Sequence, residues 1–245
     1  MALVIITGAA GGIGAATARA AAAAGHRLAL WDFDADGAAR LAAELPAAAA
    51  QRIDVTDPAS VEAAFATLDA VPDALVNNAG IVDFRPLAET TTAQFARVID
   101  VNLTGAYTVA RAAALRMIPR GAGAIVNVTS IGGISMSPGT NAYAPAKAGL
   151  AALSELMALE WAPLGLRINA IAPGMIDGGM SKGVYENPDT RARRSGGIPA
   201  RRLGTVEDVA RAILWLISPD ADYVNGHQLV VDGGLTKAAL AMVPR

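Results

Sequence analysis

Tyr143 and Lys147 are the two side chains whose spacing points most directly to chemistry, because they stand four residues apart in the stretch 141–147, NAYAPAK. On a helix this spacing places both side chains on one face, about one turn apart. An ammonium near a phenol favours the phenolate, so we expect Lys147 to lower the pKa of Tyr143 from its usual value of roughly 10. Such a tyrosine can give or take a proton at a substrate oxygen. Only three of the 20 Lys+Arg residues are lysine, so this pairing carries more weight than the same motif in a lysine-rich chain.

Ser130 is a second candidate for the same chemistry. It follows a predicted strand and precedes Tyr143 by thirteen residues. Its hydroxyl could hold the carbonyl or alcohol oxygen of a substrate. The alternative is that Ser130 only caps the end of the strand through local hydrogen bonds.

A glycine cluster follows the first predicted strand. Gly8, Gly12 and Gly14 have the spacing G-x-x-x-G-x-G, and Thr17 occupies the place of the third glycine in the usual G-x-G-x-x-G fingerprint. A tight turn of this kind lets the backbone approach a pyrophosphate, and the free N–H groups at a helix start bind it. A turn that only packs a helix on a sheet is the alternative.

Asp32 ends the second predicted strand, 18 residues after Gly14. A carboxylate at this place accepts hydrogen bonds from the adenosine ribose hydroxyls and repels a 2′-phosphate. Phe33, not an arginine, follows it, and Gly11 supplies no cation to the glycine cluster. The pattern favours NAD over NADP, although Asp32 could also be a solvated strand-end acid.

The elements that must position these groups alternate along the chain, with short apolar runs separated by alanine-rich helical stretches. The runs are nearly continuous, as expected of parallel strands that are buried on both faces. We predict an α/β fold, a doubly wound (Rossmann-type) parallel sheet of about seven strands with helices on both faces. The predicted strands are Leu3–Thr7, Arg27–Trp31, a weaker one at Gln51–Ile53, Leu75–Asn77, Ala124–Thr129, Arg167–Ala172 and Gln228–Val231.

Helix starts and the absence of a linker complete the predicted organisation. Asp57-Pro58 and the stretch from Thr205 to Asp208 are typical of helix N-termini. We predict a single NAD-binding domain over residues 1–245, with a substrate loop at 173–204. Ligands of such sheets bind beyond the carboxyl ends of the strands, so functional residues should lie just after strands.

Composition excludes several classes of function. The chain has 245 residues, is 53% apolar and 17% charged, and has a formal net charge of −2. It therefore lacks both the charge of a disordered chain and the basic field of a nucleic-acid or anionic-membrane binder. It has no cysteine, which excludes disulfides and thiolate sites. No signal peptide or membrane span is expected, and we predict a cytoplasmic protein.

Taken in order, the motifs resemble those of the short single-domain branch of the short-chain dehydrogenase/reductase family. The resemblance covers essentially the whole chain and includes Thr7–Gly14, the stretch 77–80 (NNAG), Ser130, the Tyr143/Lys147 pair and Pro173-Gly174. It implies that Tyr143 is the general acid–base, that Lys147 tunes it and binds the nicotinamide ribose, and that Ser130 orients the substrate oxygen. Asn102 matches the fourth catalytic residue of the family, which supports a water-linked proton relay. The cofactor-binding residues that the resemblance and the motifs imply are Gly8, Gly12, Ile13, Gly14, Asp32, Phe33, Asp54, Val55, Asn78, Ala79, Gly80, Tyr143, Lys147, Pro173, Gly174 and Ile176.

Two positions depart from the family pattern. Pro145 lies two residues after the tyrosine, where it is tolerated only in the first turn of a helix, so we predict a helix that starts between Thr140 and Ala142. Many relatives have a threonine shortly after Pro173-Gly174, whereas this chain has Asp177-Gly178-Gly179. We expect this loop to be looser and the nicotinamide amide to rely on the backbone near Ile176.

The predicted function is an NAD-dependent oxidoreductase that transfers a hydride between nicotinamide and a secondary alcohol or ketone, with a polyol, sugar or small alcohol favoured. The alternatives are a 3-oxoacyl-thioester reductase of the same family and a non-catalytic nucleotide-sensing protein on the same fold. The family implies a homotetramer, and no partner other than the small-molecule substrate is expected, neither nucleic acid nor membrane.

Other conspicuous residues receive no catalytic role. His26 and His227 are isolated, so no metal site is predicted. The arginines between Arg191 and Arg202 could grip an anionic substrate, but a solvated loop is favoured. The apolar tail Leu235–Val243 is a candidate contact with a neighbouring subunit.

Overall fold

Seven parallel strands form the central sheet in the computed structural model, which describes residues 1–238. Their spatial order is β3-β2-β1-β4-β5-β6-β9, so the direction of winding reverses between β1 and β4. This arrangement confirms the predicted doubly wound sheet. The strands are β1 (Leu3–Thr7), β2 (Arg27–Asp32), β3 (Ala48–Arg52), β4 (Ala74–Asn77), β5 (Gly123–Val128), β6 (Leu166–Pro173), β7 (Ile176–Asp177), β8 (Gly204–Thr205) and β9 (Gln228–Val231).

Helices cover both faces of this sheet. The first layer contains α1, α2 and α8, and the second contains α3, α5 and α6. A π-helical segment, Asp100–Gly105, joins α4 to α5. The helices are α1 (Gly12–Ala23), α2 (Ala35–Glu44), α3 (Pro58–Ala66), α4 (Thr92–Ile99), α5 (Ala106–Met117), α6 (Tyr143–Trp161), α7 (Pro188–Gly197) and α8 (Val206–Ile217).

Burial on both faces explains why the strands are almost continuously apolar. All five residues of β1 are buried. Val4 and Ile6 pack into the core under α1 and α8, whereas Ile5 packs with the helices of the other layer. Alternate residues of one strand therefore serve two separate cores.

The structure differs from the predicted strands at two places. The third strand runs from Ala48 to Arg52 instead of Gln51 to Ile53, because Ala48, Ala49 and Ala50 pair with β2 at the sheet edge although alanine is a poor strand former. A two-stranded pair, β7 with β8, lies inside the stretch that was expected to be only a loop. Its two-residue strands are too short to leave a periodic signal.

Local signals place the helix starts as expected. Asp57 accepts a hydrogen bond from the Ala59 N–H ahead of Pro58, and Thr205 and Asp208 form a reciprocal capping box. Helix α6 begins at Tyr143, so Pro145 lies in its first turn, where the missing N–H has no partner to lose. The predicted place of Pro145 in the first turn is confirmed, although the helix starts one residue after the predicted range of 140–142.

The C-terminal tail is covered only in part. Residues 239–243 of the stretch for which a subunit contact is expected lie outside the described residues. No helix within residues 1–238 is both long enough and apolar enough to cross a membrane.

Candidate active site

A cavity of about 1060 Å³ opens at the carboxyl ends of the strands, around the point where the sheet order reverses. Pockets of this kind commonly measure roughly 300 to 1,000 Å³, so this one can hold a ligand as large as a dinucleotide. Its wall contains the glycine loop after β1 and the ends of β2, β4, β5 and β6. Ligand binding at such a switch point is the general behaviour of doubly wound sheets.

The glycine loop is shaped for close approach to a ligand. Gly8 and Gly12 have φ angles of 64° and 55°, a region that side chains other than glycine rarely adopt. A Cβ on Gly14 would stand 2.1 Å from the Gly8 carbonyl oxygen, so only glycine fits there. Gly11, the residue before α1, makes no side-chain cap, which leaves the N–H groups of the first turn of α1 available to a phosphate.

Asp32 stands at the rim of the same cavity with its carboxylate held in place. One oxygen accepts a hydrogen bond from the Ala10 N–H at 2.8 Å, and the other accepts one from the Asp34 N–H at 2.9 Å. Each carboxylate oxygen has a further lone pair, so Asp32 can still accept from ribose hydroxyls. Phe33 also lines the cavity and is 63% exposed.

The predicted adenine-side residues lie on the wall next to Asp32. Asp54 accepts hydrogen bonds from the side chain and the backbone of Thr56, which lower its pKa, and the charges of Arg52 and Arg97 lower it further against the opposing effect of burial. Val55 is buried beside it and belongs to the cavity wall. A carboxylate with this environment stays ionised at neutral pH and can accept a hydrogen bond from an amino group.

The stretch after β4 connects the glycine loop to the catalytic side chains. The Asn78 amide donates to the carbonyl oxygens of Thr7 and Gly8, and the Ala79 N–H donates to the Thr7 hydroxyl. A Cβ on Gly80 would stand 2.6 Å from the Asn102 side-chain oxygen. These contacts hold the cavity floor, so Asn78 is occupied with protein groups and contributes by positioning the backbone.

Tyr143, Ser130 and Lys147 meet on the wall of this cavity, as the spacing predicts. Lys147 is 4% exposed, and its Nζ donates a 2.8 Å hydrogen bond to the Val128 carbonyl oxygen. The Lys147 Nζ lies 5.7 Å from the centre of the Tyr143 ring. Ser130 accepts a hydrogen bond from the Gly132 N–H, so the capping alternative also holds.

The expected electrostatic tuning of Tyr143 is wrong for the free protein. Burial raises the pKa of Tyr143, and its hydrogen bond with Ser130 lowers it only in part. Burial also lowers the pKa of Lys147 to about 8, so this lysine is charged for a smaller range of pH than an exposed one. Desolvation is the largest cause of both shifts, and the Lys147 ammonium donates its hydrogen bond to Val128 and not to Tyr143.

Asn102 lies in the π-helical segment and is fully buried. Its side-chain amide donates to the carbonyl oxygens of Ile81 and Val98, both at 2.9 Å, and its oxygen accepts from the Ile81 N–H. All of these partners are backbone groups. Asn102 therefore fixes the loop after Gly80, and the proton relay implied by the family resemblance stays a prediction.

The stretch after β6 closes the cavity over the glycine loop. Pro173, Gly174 and Ile176 line the wall, and a Cβ on Gly174 would stand 2.6 Å from the Asp232 Cα. Gly178 and Gly179 both have positive φ angles, and a Cβ on Gly12 would stand 2.9 Å from the Gly179 Cα. Gly12 and Gly179 therefore lie in close contact, and the expectation of a looser loop stays a prediction.

Several wall residues carry no sequence signal. They line the cavity because a strand end, α4 or the loop after β6 brings them there, and none belongs to a motif with a mechanism. These residues are Ile53, Thr56, Ile81, Ala93, Ala96, Arg97, Asp100, Val101, Val128, Thr129, Met180 and Ser181.

The arginines between 191 and 202 do not line this cavity. Arg191 pairs with Asp177 at 2.7 Å, Arg194 lies over the Tyr185 ring, and Arg202 pairs with Asp208. Arg191, Arg193 and Arg194 lie on helix α7, so the interpretation of this stretch as a loop is wrong for its central part. Within residues 1–238, no group of three His, Cys, Asp or Glu residues is placed to hold a metal ion.

Comparison with known proteins gives consistent matches over nearly the whole chain. A family model described as enoyl-(acyl carrier protein) reductase matches residues 8–236. Galactitol 2-dehydrogenase (L-tagatose-forming) of Cereibacter sphaeroides is 40% identical over 94% of this chain and 93% of its own length. The 3-oxoacyl-[acyl-carrier-protein] reductase of Chlamydia muridarum is 35% identical over 94% of this chain and 96% of its own. A solved oxidoreductase of the short chain dehydrogenase/reductase family from Burkholderia thailandensis superposes with a TM-score of 0.91 at 34% identity, over 99% and 98% of the two chains.

Proposed function

The chain belongs to the short-chain dehydrogenase/reductase family, and on that premise we propose that it is an NAD-dependent oxidoreductase of secondary alcohols and ketones. The observation that carries the proposal is the meeting of Tyr143, Ser130 and buried Lys147 on the wall that also contains the glycine loop. In this proposal, residues 1–245 form a single domain whose loop 173–204 contacts the substrate. The enzyme works in the cytoplasm as a homotetramer.

The cavity fits a nicotinamide dinucleotide. Gly12 and Gly14 leave room for a pyrophosphate at the start of α1, and Asp32 offers acceptors to the adenosine ribose. Asp54 and Val55 flank the adenine, while Pro173, Gly174 and the backbone of Ile176 shape the nicotinamide end. Bound there, NAD supplies the acceptor for the hydride that leaves the carbinol carbon.

The chemistry left to the protein is control of one proton. Ser130 donates its O–H to the substrate oxygen and holds it against the Tyr143 phenol. In oxidation, the Tyr143 phenolate takes the proton of the alcohol while the carbinol carbon gives up its hydride, so the substrate leaves as a ketone. In reduction, the phenol returns that proton to the developing alkoxide. Protonated Lys147 favours the phenolate, and its buried ammonium is best stabilised when a ribose hydroxyl adds to the Val128 carbonyl as an acceptor.

Polyols and sugars are the substrates that we favour. Support comes from the 40% identity with a galactitol dehydrogenase. A 3-oxoacyl-thioester reductase is the second candidate, and it is supported by the reductase of Chlamydia muridarum and by the acyl-carrier description of the family model. Oxidation of galactitol and threitol with NAD, compared with reduction of acetoacetyl-CoA with NADPH, separates the two.

Replacement of the phenol tests the proposal directly. The Tyr143→Phe variant should lose turnover by about a thousandfold or more, because it removes the group that takes and returns the proton at the substrate oxygen. Its dissociation constant for NAD, measured by fluorescence titration, should stay within about threefold of wild type, since little binding energy resides in that hydroxyl. Turnover that survives the change would refute the role of Tyr143. A wild-type protein that binds NAD but oxidises or reduces none of the panel would instead favour the nucleotide-sensing alternative.

A further inference from the structure

Arg52 supplies, from a neighbouring strand, a cation that the sequence around Asp32 lacks. The residue after Asp32 is Phe33, but the guanidinium carbon of Arg52 lies 4.5 Å from the centre of the Phe33 ring. In the register of β2 and β3, Asp32 and Arg52 stand directly side by side. The cation is therefore next to the carboxylate that faces the adenosine ribose, although 20 residues separate them in sequence.

The surroundings of Arg52 leave its N–H groups to a ligand. Within the described part of the chain, no carboxylate oxygen lies within 4 Å of its side-chain nitrogens, and none of its side-chain nitrogens donates a hydrogen bond to a protein group. Stacking over Phe33 fixes the plane of the guanidinium while its N–H donors remain at the edge of that plane. A planar, fixed guanidinium is the side chain best suited to bind a phosphate through two hydrogen bonds.

The carboxylate beside it opposes the same phosphate without closing the site to it. Both Asp32 oxygens already accept backbone N–H groups, from Ala10 and Asp34, which spread part of the carboxylate charge into the protein. An adenosine 2′-phosphate at this rim would meet the carboxylate of Asp32 and the cation of Arg52, with the Asp54 carboxylate further along the wall. Asp32 then sets the preference for NAD, and Arg52 limits how strong that preference becomes.

We propose that Arg52 is a second determinant of cofactor choice, which binds the 2′-phosphate of NADP and so allows the enzyme to use NADP alongside NAD. The inference rests on the proposed function, because it assumes that the cavity holds a nicotinamide dinucleotide. Arg52 itself lies outside the cavity wall, and Phe33, which lines the wall, is the platform that holds the guanidinium beside Asp32. The lack of an arginine directly after Asp32 is therefore weaker evidence for NAD than the sequence alone suggests. The carboxylate of Asp32 still favours NAD.

The kinetic test compares Arg52→Gln with wild type for both cofactors. Loss of a charged hydrogen-bonding pair to phosphate should lower kcat/KM for NADP by about tenfold or more, while kcat/KM for NAD changes by less than about threefold. Arg52→Lys keeps the positive charge but lacks the paired N–H donors of a guanidinium. Its kcat/KM for NADP should therefore lie between those of Arg52→Gln and wild type. Arg211→Gln, an equal change of charge on exposed α8, is the matched control and should leave both values unchanged.

A binding test separates this inference from the proposed function. ADP-ribose and its 2′-phosphate, titrated by calorimetry, probe the adenosine half without any turnover. Arg52→Gln should weaken the 2′-phosphate probe by about tenfold and leave ADP-ribose unchanged, and added salt should weaken the phosphorylated probe more because Arg52 is exposed. Equal effects on both probes, or a wild-type protein that does not bind the phosphorylated probe, would overturn the inference. Absence of turnover together with the expected pattern of binding would refute only the proposed reaction.

Discussion

Burial of Lys147 links the candidate catalytic pair to the stability of the fold. The side chain is 4% exposed, and within residues 1–238 its ammonium has one hydrogen-bond partner, the Val128 carbonyl, so the charged form is poorly solvated. The pKa of Lys147 falls from 10.5 to about 8, because burial disfavours the ammonium. Between pH 8 and pH 10.5 the unfolded chain therefore holds a proton that the folded chain has released. Stability from this residue rises with pH across that window and is lowest below it.

Replacement of Lys147 by methionine should stabilise the protein at neutral pH. The shift of the pKa corresponds to roughly 3 kcal/mol of unfavourable free energy for the buried ammonium, of which about 1 kcal/mol is offset by its hydrogen bond to Val128. We expect Lys147→Met to unfold in urea with about 2 kcal/mol more free energy at pH 7, with turnover lost. The advantage should shrink towards pH 10, where wild-type Lys147 is already neutral.

An exposed lysine provides the control for this measurement. Lys182→Met removes the same group from a solvated position and should change the free energy of unfolding by less than about 0.5 kcal/mol at either pH. Titration of Tyr143 does not contribute to the stability difference between pH 7 and pH 10, since its raised pKa affects stability only above pH 10. A Lys147→Met protein with a pH-independent stability difference would contradict the assignment of a depressed pKa.

The turn from β1 into α1 carries its own prediction at the scale of the element. A Cβ on Gly14 would meet the backbone oxygen of Gly8 at 2.1 Å, and a backbone contact of that length forces the loop to move. Gly14→Ala should therefore lose about 1 to 3 kcal/mol of unfolding free energy in the absence of dinucleotide, despite the higher helix propensity of alanine. Urea unfolding with and without NAD is the measurement, and the stabilisation by NAD should also decrease because the phosphate loop is displaced.

Gly11→Ala is the matched control on the same loop. Its φ angle of −161° is open to any residue, and nothing lies within 4 Å of a Cβ built there. We expect a loss of less than about 1 kcal/mol, the cost of alanine at a helix N-cap. If both variants lost the same free energy, steric exclusion at Gly14 would not be the reason for glycine there.

Some helices and strands could be predicted from the sequence and others could not. The buried strands, the capped starts of α3 and α8, and the position of Pro145 in α6 follow from local composition, so the pattern predicted them. The pair β7–β8, the π-helical segment around Asn102 and the stacking of Arg52 on Phe33 depend on residues that meet only after folding. The spacing of Tyr143 and Lys147 predicted that they meet, but spacing carries no information about burial. The direction of the pKa shift of Tyr143 was therefore wrong.

The outer face formed by α5 and α6 exposes several large apolar side chains. Between α5 and α6, a shallow cavity of about 380 Å³ is lined by side chains of both helices, most of them apolar, with Arg111 and Glu160 among them. Leu115 and Leu156 are each 51% exposed and Leu159 is 77% exposed. Exposed apolar groups that cluster on one face indicate a protein interface, and a face of one element type suits a two-fold axis. This face supports the proposed homotetramer.

Charge introduced on this face should split the proposed tetramer into smaller assemblies. A tetramer with dihedral symmetry has two kinds of interface, so loss of the α5–α6 contact should leave dimers held by the other. In Leu115→Asp/Leu156→Asp, facing copies would each bury two carboxylates without partners, which costs several kcal/mol per interface. Multi-angle light scattering after gel filtration should report four chains for wild type and two for this variant. Leu87→Asp makes the same chemical change at an exposed leucine outside α5 and α6, and this variant should remain tetrameric. A wild-type mass of one chain would refute the tetramer, and a variant mass of four chains would place its interfaces elsewhere.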